Sequence, residues 1–136
     1  MALQIINGRP PNFAQVLAVF PYAKTPGVIF TYGSALYCPG LPEIDVPLMA
    51  HETLHSQRQG ADPDAWWSQY LESLDFRFDE ERLAHIEEYR VVRETIPLRA
   101  TRRRYLKFIA TRLSGPLYNH LVTFAEAKRI ITGGQE

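Results

Sequence analysis

Two imidazoles and a carboxylate stand close together in His51-Glu52-Thr53-Leu54-His55. On a helix, side chains four residues apart lie one above the other, so His51 and His55 can turn a ring nitrogen towards the same cation. Glu52 falls beside that face. A divalent ion held by neutral imidazoles lowers the pKa of its water, and an adjacent carboxylate can take the released proton. In a chain with four histidines, an H-E-x-x-H string arises by chance about one time in a hundred. The expectation is a Zn2+ site with His51 and His55 as metal ligands and Glu52 as the catalytic base.

Two histidines do not complete such a site, because a catalytic zinc ion takes three protein donors and leaves a fourth position for water. The downstream candidates are His85, His120, Asp79, Glu80, Glu81, Glu87 and Glu88. If a helix runs through them, Glu81, His85 and Glu88 fall at i, i+4 and i+7 and share one stripe, while Leu83, Ile86 and Arg90 point elsewhere. His120 has no paired donor nearby and reads as a packed or surface residue. If the activated water attacks a carbonyl, a donor opposite the metal is also needed for the developing oxyanion. Tyr32, Tyr37, Arg58, Tyr89 and Arg90 are the candidates for it.

The elements that must hold these residues divide the chain. Residues 1–45 are rich in proline and glycine with short β-branched and aromatic runs, a β-rich composition. Val16 to Phe20 and Val28 to Tyr32 read as strands, and Gly33-Ser34 as a hairpin turn into a strand over 35–38. Residues 46–132 have helical periodicity. Asp45 and Pro47 open a first helix that Gly60 closes, with the histidine pair in its middle. A second helix starts at Asp62-Pro63 and buries Trp66, Trp67 and Tyr70, read as core. Others are expected from about Asp79 to Thr95, Arg99 to Leu113 and Leu117 to Ile131. The fold class expected is α+β: one domain over 1–136, with a small N-terminal sheet or hairpin followed by about five helices.

Beyond the short motif, His51-Glu52-x-x-His55 followed by Glu81-Arg82-Leu83-Ala84-His85 resembles the gluzincin arrangement, in which a second helix supplies a glutamate. The resemblance implies a minimal zincin-like domain with Glu81 as third zinc ligand. Glu88 is the second choice. Where many gluzincins have an aspartate that hydrogen-bonds a zinc-binding histidine, this chain departs from the pattern with His85, which can either orient a ligand from behind, as such partners fix ligand geometry, or itself bind metal. The longer run from Phe30-Thr31-Tyr32-Gly33 through Trp66-Trp67 and Tyr70-Leu71 to Ala84-His85-Ile86-Glu87-Glu88-Tyr89-Arg90 resembles small zincin-like proteins of tailed bacteriophages and prophages. This implies a zinc metallopeptidase acting on a peptide or protein substrate, with an edge strand near Tyr32 or Tyr37 pairing with the extended substrate. The alternative it implies is a virion or assembly component that keeps the scaffold for binding phage structural proteins.

Composition narrows the partners. The single cysteine, Cys38, excludes an intrachain disulfide and a thiolate zinc site. No apolar run is long enough to span a membrane, and no export leader is evident, so the expected location is the cytoplasm of the producing cell or a phage virion. The net charge of zero conceals an acidic middle: residues 43–94 carry thirteen acidic and five basic side chains, and residues 95–136 eight basic and two acidic. The basic run Arg102-Arg103-Arg104, with Arg99, Lys107 and Arg112, shares its helix with an apolar stripe of Leu106, Ile109 and Leu113. It reads as a solvated or intramolecularly paired face rather than a nucleic-acid contact.

Overall fold

The computed structural model describes residues 2–134. Strand β1 (Gln4–Ile6) leads to helix α1 (Phe13–Val19), a 3-10 turn over Pro21–Lys24, and strands β2 (Phe30–Tyr32) and β3 (Ala35–Tyr37). Helices α2 (Val46–Gln59), α3 (Pro63–Glu72), α4 (Leu74–Thr95) and α5 (Arg99–Leu113) follow, then a 3-10 turn over Pro116–Tyr118 and helix α6 (Phe124–Thr132). The architecture is α+β and mostly helical, with one small sheet. No helix among the described residues is long and apolar enough to cross a membrane.

The sheet order is β1-β3-β2, with β3 parallel to β1 and antiparallel to β2, Thr31 standing opposite Leu36. The expected hairpin is present, turning at Gly33 with φ +61°, a conformation glycine adopts without steric cost. Side chains of α2 fasten this turn. The amide oxygen of Gln59 accepts from Gly33 N at 2.7 Å, its nitrogen donates to Thr31 O at 2.8 Å, and Ser56 Oγ donates to Gly33 O at 2.6 Å. Residues within about one turn beyond the histidine pair, Ser56 and Gln59, thus lock the hairpin against the same helix.

Four sequence expectations are corrected. Val16 to Phe20 is not a strand: Val16 lies buried in α1, and a short apolar run cannot by itself distinguish the two periods. The helix expected from Asp79 begins at Leu74, because the Ser73 hydroxyl accepts from Phe76 N and caps it. The stretch 117–131 is not one helix; Asn119 and His120 have φ of +55° and +52°, which break it, and α6 starts afresh at a Thr123–Glu126 capping box. β1 was not expected at all, and the described residues form six helices where about five were expected.

Two apolar clusters flank the centre. One joins α4, α5 and α6 through Val92, Leu106, Ile109, Leu113, Ala127 and Ile131. The other joins α1, β2 and α3 through Val16, Phe30, Trp66, Trp67 and Tyr70. Arg77 ties α4 back to α3, its guanidinium donating to Tyr70 O, Leu71 O and Leu117 O. A cavity of about 640 Å³ opens between the clusters, lined by residues of both and by the inner faces of α2 and α4.

Candidate metal centre

Asp45 Oδ1 accepts from Leu48 N at 2.8 Å and so starts α2. That start sets the rotation of the helix: His51, Glu52 and His55 are buried on its inner face. The 3.6-residue period of α4 brings Glu81, His85 and Glu88 to the face opposite, also buried. His51 Nε2 lies 3.0 Å from Glu81 Oε1, and His55 Nε2 lies 3.1 Å from each of them. Tetrahedral donors at about 2.0–2.1 Å from one zinc ion stand about 3.3–3.4 Å apart. The observed triangle therefore reaches that geometry with shifts of a few tenths of an ångström, and the buried group His51, His55 and Glu81 can hold a metal ion.

Proton accounting supports a cation inside the triangle. His51 Nδ1 faces Glu88 Oε1 at 2.9 Å, and a carboxylate acceptor there places the neutral ring's proton on Nδ1. Nε2 then presents a lone pair to the Glu81 carboxylate. Two acceptors 3.0 Å apart need a proton or a metal ion between them. His55 Nδ1 is buried without a hydrogen-bond partner, so that ring is held through Nε2 and through its edge contact with Trp66. The Tyr70 hydroxyl donates to Glu81 Oε2, leaving Oε1 as the oxygen aimed at the histidines.

The electrostatics agree. Burial would push His51 down, but the Glu81 and Glu88 carboxylates bonded to it hold it well above the usual imidazole range. Burial would likewise raise Glu81, yet His55 and His51 hold it well below the usual carboxylate range. Glu88 is treated the same way and falls to about 2, with burial opposed by its bonds to His51 and His85. His85 goes the other way: burial lowers it, the neighbouring His51 adds to that, and Glu88 only partly compensates.

No family model, curated protein or solved structure matches the chain. What it can do rests on the geometry of its own residues.

Glu88, the second choice as ligand, stands behind His51 instead of beside the triangle. Its Oε1 also faces His85 Nδ1 at 3.0 Å, and its Oε2 lies 3.1 Å from the Tyr105 hydroxyl. The atoms of His51, His85 and Glu88 converge closely enough to be a second potential metal group. Two ring N–H protons satisfy that group, however, because both imidazoles can donate to the one carboxylate oxygen. The first triangle, by contrast, needs an extra proton on His51 or a metal ion to join its facing acceptors. Glu52 completes the site: Thr31 Oγ1 donates to its Oε1 at 2.9 Å, while Oε2 stands 3.8 Å from His51 Nε2 with its remaining face to the cavity.

None of the five proposed oxyanion donors lines the cavity. Tyr32 donates to Asp64, Arg58 pairs with Glu80, Arg90 pairs with Glu87 and Glu94, and Tyr89 is buried in the α4–α5–α6 cluster. Tyr37 packs beside the other cluster. The polar groups in their place are Tyr70, Tyr105, Tyr118 and Arg112. Tyr70 carries a sequence signal as part of the α3 aromatic face, although that face reads as core. Nothing in the sequence singles out the others. His120 is exposed and bonded to Ser114 O, outside the site as expected.

The edge strand also differs from expectation. β2 is at the sheet edge, but the Thr31 carbonyl accepts from both Gln59 Nε2 and Trp67 Nε1, at 2.8 and 2.9 Å. That acceptor is already occupied and cannot pair with an added strand. The basic side chains of α5 form no ion pair with residues 43–94 among the described residues. The link there is the Tyr105 hydroxyl, which reaches Asp45 and Glu88.

Proposed function

We propose that the chain is a zinc-dependent peptide hydrolase of the gluzincin kind, with His51, His55 and Glu81 as metal ligands and Glu52 as general base. The observation that carries this reading is the approach of His51 Nε2, His55 Nε2 and Glu81 Oε1 to within 3.1 Å of one another, beside a carboxylate that faces a cavity. Histidine nitrogen and carboxylate oxygen are the donors zinc takes in such sites, with no thiolate needed. A zinc ion bound there supplies Lewis-acid polarisation of a carbonyl and lowers the pKa of water.

The protein's own groups do the rest. Thr31 holds Glu52 through Oε1, so the free Oε2 takes a proton from the attacking water. Glu52 then returns that proton to the amine nitrogen as the C–N bond breaks. Tyr70 keeps Glu81 single-oxygen towards the histidines, and Glu88 keeps the His51 lone pair on Nε2. The apolar rings of Phe20, Phe30, Trp66 and Trp67 line the cleft and lower the polarity around its charges, which strengthens the interactions between them.

The test joins metal content to turnover. Wild-type protein should carry one zinc per chain and cleave peptides from a mixed library, whereas Glu52→Gln should keep the zinc and lose turnover by about 10²–10⁴-fold. Cleavage by Glu52→Gln at the wild-type rate would defeat the mechanism. Absence of zinc binding in the wild type would defeat the site.

A further inference from the structure

The cleft wall carries two polar atoms on deeply buried residues, besides Glu52, that no group in the chain uses. His85 is 4% exposed; its Nδ1 is bonded to Glu88 Oε1, while its Nε2 has no hydrogen-bond partner among the described residues. Tyr118 is 3% exposed, and its hydroxyl likewise has none. Neither atom is among the sealed, partnerless ones, and both residues line the cavity, so both atoms open into it. Two polar atoms that face one cleft and use no group of the chain are free to bond a molecule that displaces solvent there.

Their polarities are complementary. With the His85 proton on Nδ1 towards Glu88, a neutral ring offers a lone pair at Nε2 and accepts a hydrogen bond. A phenol donates. The cleft is lined by the carboxylates of Glu43, Asp45, Glu52, Glu81 and Glu88 against one guanidinium, Arg112, which disfavours an anionic occupant even with a divalent ion in the triangle. Amide groups, which offer N–H donors and C=O acceptors, can use both atoms without adding charge.

We propose that His85 and Tyr118 are the substrate-binding pair of the cleft: His85 Nε2 accepts from a backbone N–H of the bound peptide, and the Tyr118 hydroxyl donates to a peptide carbonyl. This rests on the hydrolase reading and deepens it, because it replaces strand addition at β2, whose Thr31 carbonyl is occupied, by side-chain recognition of the peptide backbone. Recognition then needs an N–H at one defined position. A peptide N-methylated there, or one with proline there, binds more weakly.

The experiment uses the zinc-loaded Glu52→Gln protein, whose Trp66 and Trp67 line the cleft and report binding by fluorescence. The probes are acetyl-Ala-Phe-Leu-Ala-amide and its singly N-methylated forms. One N-methylated form should bind about tenfold more weakly than the parent, the size of one lost hydrogen bond. Adding His85→Phe should abolish that difference, and adding His85→Gln, whose amide oxygen can take the place of Nε2, should restore it. Tyr118→Phe should weaken all the peptides by a similar factor and leave the N-methyl pattern unchanged. Turnover of the parent is measured in the wild-type protein alongside. A flat N-methyl scan, with the parent both bound and cleaved, overturns the His85 contact and leaves the hydrolase reading standing. A parent neither bound nor cleaved overturns both.

Discussion

The Tyr70 hydroxyl on α3 donates to Oε2 of Glu81 on α4, so a core aromatic residue determines which oxygen of the carboxylate meets His51 and His55. The phenol is deeply buried, and burial together with the nearby Glu81 charge holds it well above its ordinary pKa, so it stays a donor at any working pH. Tyr70 itself is fixed from two sides, stacked on Trp66 and covered by the Arg77 guanidinium.

Tyr70→Phe should therefore keep the fold and lose metal. The ring contacts survive, but Glu81 loses the bond that commits Oε1 to the triangle. Partners of this kind are worth about 10–100-fold in metal affinity. Competition against a chromophoric zinc chelator reads the change directly, and an unchanged affinity would show that packing alone orients Glu81.

Metal uptake should release protons. In the metal-free protein the carboxylates of Glu81 and Glu88 outweigh burial and hold a proton on His51 well above the usual range. A metal ion at Nε2 displaces that proton, so zinc binding near neutral pH should release about one proton from His51 and weaken as the pH falls. Calorimetric titration in buffers of different ionisation enthalpy gives the number released. A value of zero would mean that His51 is neutral before the metal arrives.

Acid should destabilise the metal-free protein through Glu88. Its folded pKa is about 2 against an ordinary 4.5, and a lowered carboxylate pKa contributes stability that is present above the ordinary value and lost as the pH falls through the folded one. The difference corresponds to on the order of 3 kcal/mol. Urea unfolding of chelator-treated protein should show this loss between about pH 4.5 and pH 2. Glu88→Gln should be less stable at neutral pH and flatter across that window; a slope equal to the wild type's would assign the acid sensitivity to other groups.

Much of the site was legible because it obeys helical period. His51 and His55 are four apart on α2, and Glu81, His85 and Glu88 follow the same rule on α4, so each face could be read without knowing how the helices pack. Which of the α4 groups meets the triangle was not legible from spacing. The choice between Glu81 and Glu88 depends on the axial offset of the two helices, and the structure brings Glu81 to Nε2 and Glu88 to Nδ1 of the same ring. Thr31, Tyr105 and Tyr118 come from distant segments with ordinary local patterns, and only tertiary packing brings them to the cavity. The Thr123–Glu126 capping box was a readable start signal for α6, hidden by the apolar run around it.

Thr31 offers the sharpest separation of catalysis from metal binding. It touches no proposed ligand; its hydroxyl reaches only Glu52, on the neighbouring helix, at 2.9 Å. Thr31→Val keeps the shape and the backbone carbonyl that Gln59 and Trp67 use. What it removes is one buried hydrogen bond to a charged group, worth about 1.5–3 kcal/mol. Zinc affinity should be unchanged, since His51, His55, Glu81, Tyr70 and Glu88 keep their contacts. Turnover should fall by about 10–100-fold, because Glu52 no longer holds Oε2 towards the attacking water. If Thr31→Val instead loses zinc and activity together, the hairpin stabilises α2 as a whole and does not position its carboxylate.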